Sequence, residues 1–277
     1  MGILLGLAAA LLYGGSDFGG GLLSRRFGSL QVNVIGSAAA AALAWAALVL
    51  AGGPAPSLRA IAWGLGSGLG GGAGTLFLYR GLARGQMSVV GPVSAVGAAV
   101  LPVAFGVAIG ERPGVLTAAG VVLALPAIAL VAASGSAGFG ISRTALTDGL
   151  AAGSAFGIMF IGLSQAGGAA GLWPVASEQT GSLLVVLAVA VKAREPLGIK
   201  VRAAGLPVLV GIGGMSATLL FFYATHASML ATVAVLVSLY PGVTVLLARM
   251  ILHERFSSAQ RAGLGLCTLA VIAIALN

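Results

Sequence analysis

The sequence predicts an all-α polytopic membrane protein of ten transmembrane helices in two inverted five-helix repeats. Three observations carry this prediction. Only 7% of the 277 residues are charged and 59% are hydrophobic, against roughly 25% charged in ordinary soluble domains. A soluble chain of this size must present a large polar surface and has no way to hide so much apolar material. Cutting the chain at charges and turn residues leaves ten apolar runs, each near the roughly 20 residues that a helix needs to cross hydrocarbon. Finally, the second half repeats the first: Gly6-Leu7-Ala8-Ala9 recurs as Gly149-Leu150-Ala151-Ala152, an offset of 143 residues.

The runs are 2–23, 31–51, 60–79, 87–110, 114–134, 149–170, 172–191, 205–225, 229–251 and 260–276. The first lacks the positive n-region of a cleavable signal peptide, so it is expected to remain as a span. The repeat offset also takes Tyr13-Gly14 to Phe156-Gly157, Glu111-Arg112 to Glu254-Arg255 and Ala119-Gly120 to Ala262-Gly263. With one gap, Tyr79 meets Tyr223 and Ser94 meets Ser238. The expected organisation is therefore a first repeat over 1–134, a linker over 135–148 and a second repeat over 149–277. Five helices per half force the second half to enter the membrane from the opposite side.

The basic residues agree with inversion. Of the fourteen Lys and Arg, twelve fall in the connections after spans 1, 3, 5, 7 and 9, and only Arg59 and Arg112 lie opposite. The positive-inside rule makes the crowded face cytoplasmic and places both termini outside. These charges stand singly or in pairs between apolar runs, without the aromatic-interleaved basic stripe of a nucleic-acid partner, so none is expected. The single cysteine, Cys267, excludes an internal disulfide or a cysteine metal cluster. His226 and His253 offer no metal-ligand spacing and no catalytic constellation, so an intramembrane enzyme is disfavoured. No P-loop is present, so no nucleotide cofactor is expected.

Seven glycines crowd Trp63 to Gly74 in the third run. Gly64-Leu65-Gly66-Ser67-Gly68 superficially suggests a dinucleotide fingerprint, yet no strand precedes it. An open loop facing lipid would strand backbone donors, so this stretch is expected to be helix. Glycines 64, 68 and 72, and likewise 66, 70 and 74, recur every four residues and would let neighbouring backbones approach closely. Prolines interrupt other spans: Pro92 and Pro102 in the fourth and Pro241 in the ninth are candidate bends for a cavity-lining or gating helix.

Ionisable groups inside hydrocarbon are costly and become functional candidates. Asp17 lies about 22 Å along the first helix at 1.5 Å per residue. It is either a site residue or is neutralised by Arg25 or Arg26 snorkelling back. Glu178 and Gln179 lie about one and a half turns into the seventh helix, after Trp173-Pro174. Glu178 is either a carboxylate favoured by the helix dipole or a protonatable contact at a cavity mouth. Tyr79, Tyr223 and Tyr240, with Ser94 and Ser238, complete the candidates for substrate or coupling-ion contact; tyrosines at span ends also serve as interfacial anchors.

Ten spans in two repeats, with the fourth helix of each ending in a Glu-Arg pair (Ile109-Gly110-Glu111-Arg112 and Leu252-His253-Glu254-Arg255), resemble the EamA-type transporters of the drug/metabolite transporter superfamily. The segments Tyr79 to Glu111 and Tyr223 to Glu254 carry most of the likeness. The resemblance implies a basket of helices around a central cavity lined mainly by helices 3, 4, 8 and 9. It also implies a small-molecule cargo, since members export amino acids and other small metabolites and relatives carry nucleotide sugars, sugar phosphates or cationic drugs. Many ten-helix members have both termini in the cytoplasm, whereas the charge count here places them outside. The leading expectation is a secondary transporter exporting a small metabolite such as an amino acid across the inner membrane by alternating access, with a proton or another solute as coupling partner. Efflux of cationic compounds and a non-transporting structural role are the alternatives.

Overall fold

The computed structural model describes residues 1–53, 55–84, 87–132, 143–194, 204–252 and 258–275. Among them are α1 (Gly2–Phe27), α2 (Ser29–Ala51), α3 (Leu58–Ala83), α4 (Met87–Ala108), α5 (Val115–Ala132), α6 (Arg143–Gln165), α7 (Trp173–Ala193), α8 (Gly205–Ala227), α9 (Leu230–Val237), α10 (Tyr240–Leu252) and α11 (Ser258–Ala275), with one 3₁₀ turn at Gly168–Ala170. Helices α9 and α10 are two pieces of the ninth span, so ten spans result. Of these helices, α1, α2, α6, α7 and α8 are long and apolar enough to cross a bilayer, and Val93–Ala108, Val115–Ala127 and Leu230–Thr244 form shorter apolar helices.

The interruption of the ninth span follows from Pro241. Proline has no N–H to donate and its ring crowds the carbonyl four residues earlier, which here belongs to Val237, the last residue of α9. The chain tightens instead through Leu239 N–H to Leu236 O at 3.2 Å and Gly242 N–H to Leu239 O at 2.9 Å. Pro102 is buried within α4, and Pro92 also falls inside it; that helix is continuous from Met87 to Ala108.

The two halves interlock in a repeat-related way. Helix α1 packs along α8 as α6, its counterpart, packs along α3. Helix α6 also packs on α4 as α1 packs on α10, and α7 on α3 as α2 on α8. Every one of these pairs joins one half to the other, so the central space is walled by both.

The glycine stretch is helix, inside α3, and it fits α3 between α7 and α6. A Cβ on Gly64 would stand 2.6 Å from Pro174 O, and one on Gly72 would stand 2.6 Å from Ser182 O, both on α7. On the other side, a Cβ on Gly70 would stand 2.9 Å from Met159 N and one on Gly74 2.5 Å from a Phe156 ring carbon, both on α6. Gly66 departs from the expected four-residue ladder: it is exposed, with nothing within 4 Å of an added Cβ. Four residues advance a helix by about 40° more than a full turn, so the α6 contact passes from Gly74 and Gly70 to Ser67. Gly162 of α6 lies against Ser67, where its own Cβ would be 2.7 Å from the serine Cβ.

The sixth helix begins at Arg143, within the segment 135–148 that charge-based cutting assigned to a connection. Asp148 is therefore helical and 1% exposed. Its charge is met by Arg80, which donates to Oδ1, and by Arg84, whose Nη1 stands 3.3 Å from Oδ2. An ion pair across the halves turns what read as a turn signal into packed helix.

Candidate functional site

A cavity of about 80 Å³ lies between the halves, lined by α1, α2, α3, α6, α7 and α8. A second lobe of about 60 Å³ adjoins it and shares Tyr13, Thr75, Tyr79, Phe156, Met159 and Gly214. Asp17 and Tyr240 line the second lobe; Asn33, Glu178, Gln179 and Ser182 line the first. The walls thus extend well beyond the expected helices 3, 4, 8 and 9. The fourth contributes only Ala98 and the ninth span only Tyr240, whereas α1, α2 and α7 supply most of the polar side chains and α6 supplies Phe156, Met159 and Phe160.

The seventh helix opens with Trp173 and Pro174, a pairing that suits a helix start because proline lacks the N–H that would go unsatisfied there. Trp173 meets Trp45 of α2 edge to face, with ring centroids 5.8 Å apart, and Trp45 Nε1 donates to Thr180 Oγ1 at 3.0 Å. This anchors α7 so that Glu178, 2% exposed, turns inward toward α3. Gly71 makes the room: a Cβ there would lie 2.6 Å from Glu178 Oε1 and 3.0 Å from Met159 Sδ. The second oxygen, Oε2, is buried without a hydrogen-bond partner.

Asp17 is 9% exposed and among the described residues no ion pair reaches it. The arginines expected to neutralise it are engaged elsewhere. Arg25 donates through Nε to Leu82 O at 3.4 Å, and Arg26 lies over the Phe27 ring at 5.2 Å. A little over two turns of helix separate functions on this segment: Arg25 serves the end of α3, and Asp17 shares a lobe with Tyr13, Tyr79 and Tyr240.

The hydroxyls are arranged around these acids. Thr218 donates to Gly214 O at 3.1 Å, which leaves its oxygen to accept from Tyr13 OH at 2.8 Å and ties α1 to α8. Tyr240 OH donates toward Ser94 Oγ at 3.2 Å and Gly91 O at 3.3 Å, so Ser94 supports the cavity wall from behind. The Tyr79 ring occupies space that a side chain at Gly20 would need. Of the sequence candidates, Asp17, Tyr79, Glu178, Gln179 and Tyr240 converge on the cavity. Tyr223 does not: it is 46% exposed, on the outer face of α8 against Phe222. Ser238 is fully buried at the end of α9, its hydroxyl unpartnered, and lines neither lobe.

Each end of the cavity is tied across the halves. At one end Arg80 and Arg84 of the α3 terminus hold Asp148 of α6. At the other, Glu111 receives the Leu230 N–H at 2.7 Å and the Ala231 N–H at 2.9 Å, capping α9 with a carboxylate from the opposite half. The first amides of a helix have no internal acceptor. A carboxylate there also complements the helix dipole. Glu111, of the Glu-Arg pair noticed in the sequence, is therefore a structural clasp between repeats.

The EamA-like transporter family model matches residues 1–133 and 145–276, one block per half. The chain belongs to the EamA-like transporter family. A solved crystal structure of a protein superposes on this EamA-like transporter with a TM-score of 0.75 at 18% identity, over 99% of this chain and 96% of that one, a likeness of fold. No curated protein matches the chain. Family and helices together make it a multi-pass membrane protein of a transporter family.

Sequence reasoning missed Asn33, Ser37, Thr75, Ser182 and Thr218, which give this EamA-like protein much of its polar lining. Asn33 with Ser37, Thr75 with Tyr79 and Glu178 with Ser182 all stand four residues apart, as do Tyr13 and Asp17. Polar pairs at that spacing share a helix face, and the pairs on four helices were the available signal.

Proposed function

We propose that this chain is a secondary transporter that carries a small solute through the central cavity by alternating access, with Asp17 and Glu178 as the proton-exchanging groups. One observation carries the reading: two buried carboxylates, without a cationic partner among the described residues, face a cavity walled by two inverted halves. Ionisable groups kept inside the membrane at such cost mark solute and proton pathways. Inverted repeats place such sites near the midplane, at the repeat interface. At about 80 Å³, against the 10–15 Å³ that one water occupies by the same measure, the space holds several waters or one small polar solute.

The two clasps support alternation. Opening the face at Arg80, Arg84 and Asp148 separates α3 from α6, and opening the opposite face separates Glu111 from α9. Each motion parts the halves at one end while the other end stays joined. By the distribution of basic residues, the Asp148 face is cytoplasmic and both termini are outside, in the inner membrane. Export of a metabolite such as an amino acid is the corresponding transport event.

The test is solute counterflow and pH-gradient-driven flux in liposomes holding the purified full-length chain. Wild type should accumulate at least one small solute and respond to an imposed pH gradient. Asp17→Asn and Glu178→Gln, each checked for folding by thermal unfolding, should lose the response to the gradient. Gradient-driven flux unchanged in both variants would refute the assignment.

A further inference from the structure

We propose that the ends of α1 and α3 at the Asp148 face form a binding site for the phosphate of an anionic phospholipid, with Arg25, Arg26 and Arg84 as its cations. The site lies outside the central cavity, and the inference does not rest on the transporter reading. Charge comes first. Arg25 and Arg26 lie in the last turn of α1, Arg80 lies in the last turn of α3 with Arg84 capping it, and Arg143 begins α6. All five are exposed. Among the described residues only Asp148 answers them, and it pairs with Arg80 and Arg84 alone. The cations also converge: Leu82 O accepts both the Arg25 Nε–H, at 3.4 Å, and the Arg84 backbone N–H, so two cationic residues meet on one carbonyl. A carbonyl at a helix end favours one nearby cation. A guanidinium, however, carries five donors, and among the described residues Arg25 uses one of them there and Arg84 uses Nη1 on Asp148. Arg26 rests against the Phe27 ring at 5.2 Å and makes no ion pair among the described residues. Forked pairs of such donors are what recognises a phosphate.

The inverted repeat shows that the fold does not itself need these charges. The offset of 143 carries Arg25 and Arg26 to Gly168 and Ala169, and after the one gap Leu82 and Arg84 fall on His226 and Ser228. The counterpart of the Arg25–Leu82 contact is therefore Gly168 against His226, where an added Cβ would stand 2.8 Å from the imidazole Cδ2. On the opposite face the same seam closes without an arginine. Orientation in the membrane asks for basic residues on one side, but not for their convergence on one carbonyl. The level of the site selects lipid over a soluble anion. Leu22, 41% exposed, precedes Arg26 by four residues on the same face of α1. A headgroup held by Arg26 thus leaves its acyl chain beside a side chain that already faces hydrocarbon, and anionic lipids are drawn to basic residues at this depth. A phosphate between Arg25 and Arg84 also competes with Asp148 for Arg84, whose Nη1 stands 3.3 Å from Oδ2, while Arg80 keeps its hold. A seated lipid therefore loosens the tie between α3 and α6.

Binding of spin-labelled phosphatidylglycerol and phosphatidylcholine with identical acyl chains, to the full-length chain in phosphatidylcholine nanodiscs, tests this. Phosphatidylglycerol should bind about fivefold or more tightly, and its advantage should shrink as salt rises. Arg25→Gln with Arg26→Gln should abolish the advantage, whereas Arg112→Gln, on the opposite face, should leave it unchanged. Should the double variant fail to fold, Arg26→Gln alone, which breaks no ion pair among the described residues, should reduce the advantage about twofold or more. Inorganic phosphate should not displace the lipid. Hydrogen exchange of the α6 amides around Asp148 should be several-fold faster in discs containing phosphatidylglycerol than in phosphatidylcholine alone, and equal in the two for the double variant. Equal binding of the two lipids, or an advantage that survives loss of both arginines, would overturn the site. Displacement by inorganic phosphate would overturn the assignment to lipid in favour of a soluble anion. Preferential binding with unchanged exchange would overturn the link to the Asp148 tie.

Discussion

Replacing Gly68 with alanine and replacing Gly66 with alanine should have opposite effects on stability, although the two residues are neighbours on α3 with identical chemistry. At Gly68 the new Cβ would stand 2.8 Å from both Gly181 Cα and Ser182 N of α7, and closer still to Glu178 O. Carbon contacts are comfortable at about 3.5–4.0 Å, so α3 and α7 must part by roughly 0.7–1 Å. Every atom in the way is backbone, which no rotamer change relieves. Overpacking of this kind costs about 1–3 kcal/mol, offset by about 1 kcal/mol of improved helix propensity. The net expectation is a loss of up to about 2 kcal/mol, which lowers the unfolding temperature by up to about 8 °C at roughly 2–4 °C per kcal/mol. At Gly66 the Cβ meets nothing, so only the gain of about 0.4–1 kcal/mol remains and the unfolding temperature should rise. Thermal unfolding of both variants in one lipid or detergent, followed by tryptophan fluorescence, reads the pair. A Gly68→Ala protein as stable as Gly66→Ala would show that α3 is not seated on α7 through its glycines.

Gly71→Ala should separate stability from transport: its neighbours are the ends of the Glu178 and Met159 side chains, which can move, so unfolding should shift little while the Glu178 carboxylate is displaced and gradient-driven flux falls several-fold. Glu111→Gln keeps one acceptor for the two α9 amides and loses the charge at the helix start, so it should lower stability by about 1–2 kcal/mol in thermal unfolding, with Glu111→Ala costing more. A reporter fused after Asn277 should read as outside the cytoplasm, since twelve of the fourteen basic residues then lie inside; activity of a cytoplasm-only reporter at that position would reverse the orientation.

The fold was largely legible in the sequence because lipid leaves few solutions. Backbone groups in hydrocarbon must bond within their own segment, so apolar runs of the right length become helices. The repeated Glu-Arg pair located the end of the fourth span, and Gly110, with φ of +96°, ends it there through the Glu111 N–H to Gly106 O bond at 2.9 Å. Glycine spacing identified both packing faces of α3 but assigned Gly66 to the wrong side. A ladder of fours drifts around a helix, and the α6 contact follows Ser67, Gly70 and Gly74 instead. The start of α6 was misread for a different reason. Arg143 and Asp148 look like punctuation when each charge is counted alone, and only the approach of Arg80 and Arg84 from the other half makes Asp148 a buried helical residue.

The site was less legible, because small polar residues in a membrane helix need no distant partner. Thr75 bonds to Gly72 O, Thr218 to Gly214 O and Asn33 to Ser29 O, each within its own helix, so each is equally at home on a lipid face or a cavity wall. Carboxylates have no such local refuge: their acceptors find no free N–H inside a helix, and both acids that the sequence placed within spans, Asp17 and Glu178, point to the shared space, while Asp148 is met by Arg80 and Arg84. The two acids therefore reported the cavity faithfully, even though the helices expected around it included 3 and 8 but left out 1, 2, 6 and 7. Reading outward from them recovers the rest. Tyr13 precedes Asp17 by four residues and Ser182 follows Glu178 by four, and the same spacing on α2 and α3 selects Asn33 with Ser37 and Thr75 with Tyr79. What defines the site is thus one inward face on each of several helices, set by the 3.6-residue turn.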